Sequence, residues 1–534
     1  MQASRQCAPD PALGWRWATL IFAAALALRF AYLPTAAADP TFHRPYLDAL
    51  WNVQHASAIA HGHLAGSEPF YRAPLYTYFL AGLLFLTGGN LLWVHIAQIV
   101  LGSLTAALVG TLGARLIDRW VGMLAGLLYA GTATVLLFDF EFLNAVVFLP
   151  LVVTMLLALE RATREPSPRR FLETGLALGL AAIARPDILA FVPVALAIAG
   201  GAAWRAGWRP SRLLAGGGLL CTGLALAIVP VTIHNAIAGR DSILISSQGG
   251  AILYVSNNPR ADGYTSVMPG PTDTASYAAD GAYTDNIESS SRYLARLALG
   301  HEPKPSEVSR YWRDRALAWI MAEPRAWASL VVRKAFYLMG GFEIGDQRNL
   351  TFFLDTWPPF AAFPRWWWLF PLALAALTLP GDRRGRLLLG AFAATYGVTL
   401  VAFVPEERLR LALYPALCIM AARFLLWAIG MFRSRQLRPL AVRLAFVGAL
   451  AVAMRWDPTG YTVRERVESR IARASDSERR SDSAAAERLF LDALTIDPSW
   501  PNARAGYALF LERHGRESEA RAVGGPLWQR NATP

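Results

Sequence analysis

Apolar runs long enough to cross a ~30 Å hydrocarbon core at ~1.5 Å per residue recur along this chain. Short, arginine-bearing loops separate them. The first run, 15–33, leads from a basic N-terminal segment to a polar stretch, 34–73. Its Ala36-Ala37-Ala38 tail has the small residues of a signal-peptidase site, but Arg29 interrupts the apolar core such a leader needs, so a retained span is expected. Runs 91–116 and 120–138 are long enough to cross, whereas 74–88 falls short of the usual ~17 to 25 residues. If 74–88 crosses, Arg115 and Arg119 lie outside. If it lies along the membrane surface, they join Arg161, Arg164, Arg169, Arg170 and then Arg205, Arg209 and Arg212 on the inner side, as the positive-inside tendency requires. The second layout is the expected one.

Further spans near 142–159, 171–184, 187–203 and 213–233 deliver the chain outside for a long polar segment, 234–364, rich in Gly-Gly, Asn-Asn-Pro and Pro-Gly-Pro turn signals. Within it, 326–341 is apolar but carries adjacent Arg333 and Lys334, which predicts an amphipathic helix lying on the surface. Arg365-Trp366-Trp367-Trp368 reads as an interfacial anchor opening spans near 366–380, 387–404, 411–430 and 440–454. The pattern therefore predicts an all-α polytopic membrane protein over residues 1–454, with about 11 spans. Residues 455–534 read as a soluble helical tail on the outer side. There Ala486, Phe490, Ala493 and Pro498 have the spacing of half a tetratricopeptide repeat, and Ala520 follows Ala486 by 34 residues. So short an array needs something to dock on, and would serve a protein partner; a plain amphipathic tail has the same composition.

With 534 residues, 54% hydrophobic and only 17% charged, the chain is too apolar for a disordered, collagen-like or disulfide-stapled protein. Cys7, Cys221 and Cys418 stand singly, which leaves no zinc or redox pair. A net charge of +12 would suit nucleic acid, but no basic stripe with interleaved aromatics appears. The bilayer is the expected partner and nucleic acid is not.

Ionisable groups beside a membrane are costly and tend to be functional. Asp48 lies in the first outer loop, and Asp139 and Glu141 lie at the outer mouth of the third span. Carboxylates converging from separate loops can supply a general base and a second polar or metal contact; each alone also fits a solvated loop acid.

Asp48, the segment 56–62, Pro69-Phe-Tyr-Arg-Ala-Pro-Leu-Tyr76, 98–104, Arg185-Pro186, Pro230 to Asn235, Tyr254 to Pro259 and Pro405 to Pro415 follow one another in an order that resembles the GT-C membrane glycosyltransferases. The branch is that of the protein O-mannosyltransferases and the aminoarabinose lipid A transferase, glycosyltransferase family 39 and its bacterial relatives. The resemblance covers roughly residues 15–430. It implies an inner-membrane enzyme that takes a sugar from a polyprenyl phosphate carrier and gives it to a glycan, lipid or protein acceptor on the periplasmic side, where the C-terminus also lies. Asp48 would be the general base and Glu141 or Asp139 the second acid. Arg408 and Arg410, outside despite the positive-inside tendency, would hold the carrier phosphate, although snorkelling would also account for them. Arg72, Asn235, Asn257 and Glu343, the last near Asp346, would line the substrate site. Some relatives hold a divalent metal ion, for which Glu68 and His234 are the candidates; a histidine before Asn235 equally fits a polar cap. The acidic doublet of the protein mannosyltransferases is missing, since Leu47 and Ala49 flank Asp48. A transporter or flippase for lipid-linked sugars is the main alternative, with a non-catalytic envelope assembly protein as a third reading.

Overall fold

A computed structural model describes residues 11–64, 66, 68–264, 268, 286–345, 349–457 and 459–524, and every regular element among them is a helix. The chain divides into two units, residues 1–339 with 364–451, and residues 340–363 with 452–534. The second grouping differs from the sequence reading, which kept 340–363 within one continuous outer loop and began the tail at 455.

In the first unit the order is α1 (Pro11–Ala37), α2 (Leu47–Ala60), α3 (Leu75–Thr87), α4 (Leu91–Leu116), α5 (Arg119–Ala130), α6 (Ala133–Phe138), α7 (Ala145–Arg164), α8 (Pro168–Ala184), α9 (Val192–Arg205) and α10 (Pro210–Ala238). The polar segment after them forms α11 (Gly249–Ser256), α12 (Asn286–Leu299), α13 (Pro305–Ala322) and α14 (Pro324–Met339). Beyond residue 363 come α16 (Trp366–Leu377), α17 (Arg383–Ala402), α18 (Tyr414–Arg433) and α19 (Leu437–Ala453), the label α15 belonging to the second unit.

Among the described residues, eight helices are long and apolar enough to cross a membrane, and the protein is a multi-pass membrane protein. The remaining three of the eleven expected spans are shorter helices: 120–138 is split into α5 and α6, and α8 and α19 have 17 residues each. Helix packing relies on small residues that let backbones approach. A Cβ on Gly175 of α8 would collide with the Leu220 carbonyl of α10, and one on Gly223 with the Leu172 carbonyl.

The short helix α3 keeps both ends near one end of α4. Tyr76, in its first turn, donates to Gln98 Oε1 at 2.8 Å, and its last residue leads through three residues into Leu91. Gln98 also donates to the Glu141 carbonyl at 3.0 Å. At the opposite end of α4, Arg164 of α7 donates to the Arg115 carbonyl at 2.6 Å. The chain thus reaches residue 141 from the Arg115 end through α5 and α6, with α3 lying beside the Gln98 end.

Arg29 explains its own presence inside an apolar helix. It is fully buried and its Nη2 and Nε bond Asp139 Oδ2 at 2.5 and 2.8 Å. Gly102 makes room for the pair, because a Cβ there would collide with the Asp139 carboxylate.

In the second unit, α15 (Leu350–Thr356) precedes α20 (Tyr461–Arg479), α21 (Ser483–Ile496), α22 (Pro501–Arg513) and α23 (Glu517–Gly524). Ala486, Phe490 and Ala520 are buried together with Ala474, Tyr507 and Phe510, and Gly515 takes a positive φ of 75° at the turn. The segment 340–363 packs on this tail: Asp355 accepts from Arg470 at 2.7 Å, Asn349 donates to the Glu465 carbonyl at 3.0 Å, and Tyr461 accepts from the Gly345 amide at 2.7 Å.

Candidate functional site

Asp48 stands in the first turn of α2, immediately after Leu47, whose φ of 51° lies in the left-handed region that branched side chains rarely adopt. Strain of this kind clusters at functional positions. The turn aims the Asp48 carboxylate at two guanidiniums: Arg72 Nη2 donates to Oδ1 at 2.7 Å, and Arg408 Nη1 donates to Oδ2. Arg408 also bonds Glu406 through Nε at 3.2 Å. Burial alone would raise the Asp48 pKa, but the charges of Arg72 and Arg408 outweigh it and hold the carboxyl well below the usual carboxylate range.

Arg72 is placed by two devices. Its guanidinium lies 4.5 Å over the Trp51 ring, one turn along α2. Its loop is stitched down by Asn235, which is fully buried, accepts from the Phe70 amide at 3.0 Å and donates to the Ile243 and Ile245 carbonyls at 3.1 Å. Asn235, expected at the substrate, therefore spends its hydrogen bonds on the scaffold that positions Arg72.

The second loop acid resolves into two different groups. Asp139 is locked in the Arg29 pair described above. Glu141 is buried near Tyr76 and sits next to Phe142, whose carbonyl accepts from Asn52 of α2 at 2.9 Å. Asn52 lies one turn from Asp48, so Glu141 and Asp48 share one end of the bundle.

Arg408 and Arg410 part company. Arg410 is buried, donates to the Tyr337 carbonyl and lies 5.0 Å over the Trp366 ring. Arg408 instead reaches Asp48. Asn257 donates to the Ala402 carbonyl at 2.9 Å and accepts from Lys334 Nζ at 3.2 Å. Glu343 belongs to the second unit, beside Glu465, and Asp346 lies outside the described residues.

Sequence reasoning took Lys334 only as a charge on a surface helix, whereas it is fully buried and its pKa is pulled down to about 7 by burial. It also missed the roles of Arg185 and Asp187, paired at 2.6 Å, with Tyr396 donating to Asp187 at 3.2 Å. The Arg-Pro pair was visible in the sequence; that an acid two residues on would compensate it was the usable signal.

Glu68 is engaged by Arg292 at 3.1 and 3.2 Å, and His234 stacks on Phe70 at 4.1 Å with both ring nitrogens buried and unbonded. Among the described residues no three His, Cys, Asp or Glu side chains gather as metal ligands.

Residues 71–234 match the model of the dolichyl-phosphate-mannose-protein mannosyltransferase family, a GT-C family. The resemblance read from the sequence is thereby shown over the stretch that carries Arg72, Glu141, Arg185 and His234. No curated protein matches by sequence. Similar solved structures include ArnT from Cupriavidus metallidurans bound to undecaprenyl phosphate, at 14% identity over 97% of this chain and 81% of that one, with a TM-score of 0.46. The archaeal oligosaccharyltransferase AglB from Archaeoglobus fulgidus, in complex with an inhibitory peptide and a dolichol-phosphate, is similar at 13% identity over 81% of this chain and 54% of that one, with a TM-score of 0.35. An apo oligosaccharyltransferase of the same organism is similar at 12% identity, 98% and 59% coverage, and a TM-score of 0.40.

Proposed function

We propose that this chain is a glycosyltransferase that moves a sugar from a polyprenyl phosphate carrier to an acceptor on the periplasmic face of the inner membrane, with Asp48 as the general base. The observation that carries this reading is the Asp48 carboxylate bridged by Arg72 and Arg408. In that state Asp48 is ionised but a poor base, because both guanidiniums stabilise its charge. The carrier's phosphate is an anion competing for the same two cations. As it settles on Arg72 and Arg408 through charge-assisted hydrogen bonds, their hold on Asp48 loosens and the carboxylate regains basicity.

The acceptor's nucleophilic atom then attacks the anomeric carbon. The bond from that carbon to the phosphate oxygen breaks, its electron pair leaves with the carrier phosphate, and Asp48 takes the proton of the acceptor. Glu141 is the second acid at the same end, and Arg72 and Arg408 stabilise the charge that grows on the leaving phosphate.

The family match over 71–234 supports transfer rather than transport, and so does the site itself, since an ion-paired carboxylate at one end of the bundle offers no path across it. The arginine-bearing loops at the other end support reading the Asp48 end as the periplasmic one. Without the acidic doublet, a glycan or lipid acceptor suits the site as well as a protein. Asp48→Asn keeps the shape of the side chain but cannot take the proton, so transfer from a polyprenyl phosphate sugar should fall by roughly 10² to 10⁴, with the purified protein still folded. Wild-type turnover in that variant would remove Asp48 from the mechanism.

A further inference from the structure

The end of the first unit away from Asp48 carries a second charged site. Gln98 marks the Asp48 end of α4, and Arg115 lies 17 residues along the same helix, ~25 Å away at 1.5 Å per residue. Around Arg115 the C-terminal turns of α4 and α7 and the first turn of α8 enclose a cavity of about 490 Å³. Its lining holds five arginines and three glutamates, an excess of positive charge.

The walls of this cavity are fixed from within. Glu160, buried, stands between Arg164 Nε at 2.8 Å and Arg115 Nη1 at 3.6 Å. Arg164 donates to the Arg115 carbonyl at 2.6 Å, and Arg170 donates to the carbonyls of Arg161 and Glu165 at 3.1 Å, which closes the exposed C-terminal turns. These bonds engage Arg164 and Arg170. Arg161 lines the same cavity, is exposed, and its guanidinium has no partner among the described residues.

Depth supplies an independent observation. Trp15, Trp120 and Trp204 are 61%, 47% and 61% exposed at this end, and Trp17 packs against Trp120 at 5.9 Å. Exposed tryptophans gather at the headgroup level of a bilayer. A basic cavity between helix ends at that level has the chemistry that recognises an anionic lipid headgroup.

We infer that this cavity binds the phosphate of an anionic membrane lipid in the leaflet opposite the Asp48 site, with Arg161 as the open cation and Arg115 beside it. The site stands apart from the transferase reading and holds whether or not that reading does. The test is the thermal unfolding midpoint of the full-length protein in detergent, titrated with phosphatidylglycerol, phosphatidylcholine or inorganic phosphate. Phosphatidylglycerol should raise the midpoint saturably while the other two do not. Arg161→Gln, whose side chain holds nothing else in place, should weaken that response by about tenfold or more, as expected for a lost hydrogen bond to a charged group, and Arg161→Lys should weaken it less. An equal response to phosphatidylcholine, or an unchanged response in Arg161→Gln, would overturn the proposal. Saturation by inorganic phosphate alone at matching concentration would assign the cavity to free phosphate and overturn the lipid.

Discussion

Two arginines two residues apart, Arg408 and Arg410, look equivalent in sequence and are not. Both fall on the turn Glu407–Arg410, so their side chains leave it in different directions. Arg408 meets Asp48, while Arg410 goes inward to the Tyr337 carbonyl and the Trp366 ring. Arg408→Ala should weaken binding of a polyprenyl phosphate donor by about 1.5 to 3 kcal/mol, with Arg408→Lys recovering part of it, since lysine keeps the charge without the planar fork. Arg410→Ala should instead lower the unfolding midpoint and leave donor affinity near wild type. Direct donor titration of the three variants decides the matter, and equal losses of affinity in both alanine variants would contradict this division. Residue types were legible from sequence at Asp48, Arg72 and Arg408 because ionisable groups beside a membrane demand a reason. Direction was not: whether Asn235 meets substrate or clamps the Phe70 loop depends on which carbonyls come within reach, and those belong to Ile243 and Ile245.

At the scale of elements, length and hydropathy carried most of the layout, and they failed where a helix is short or charged for a local reason. Arg29 weakens the hydropathy of α1, and its cause, Asp139, is 110 residues away. Removing one partner of such a buried pair strands the other charge. Arg29→Met should therefore destabilise the protein by about 3 to 5 kcal/mol, while the double variant Arg29→Met/Asp139→Leu should recover much of that loss. Chemical unfolding in detergent measures both, and a double variant no more stable than the single one would show that packing rather than charge governs the site. The 17-residue helix α19 is the converse case. It was expected to cross, and it falls outside the eight helices that are long and apolar enough to do so among the described residues.

At the scale of the whole molecule, the division into two units was only half legible. The change of composition near residue 455 marks the tail, but nothing local to 340–363 announces that it packs with residues more than 100 positions later. That packing has a titratable element. Burial, with the Glu343 charge nearby, pushes Glu465 up to about 7. The folded unit therefore holds a proton that the unfolded chain releases near the ordinary carboxylate value, so its stability is greatest below that value and declines as pH rises towards about 7. Limited proteolysis of the tail in the full-length protein should accordingly speed up between about pH 5 and pH 7. Glu465→Gln should flatten that dependence; an unchanged slope in the variant would place the proton elsewhere.

The central claim is that donor phosphate and the Asp48 carboxylate compete for Arg72 and Arg408, so that donor binding is what frees the base. The most direct measurement is the affinity of Asp48→Asn for a polyprenyl phosphate. With the competing carboxylate gone, the variant should bind the phosphate more tightly than wild type while transferring sugar far more slowly. Weaker or unchanged binding in Asp48→Asn would contradict the account, because the two arginines would then owe nothing to a contest between carboxylate and phosphate.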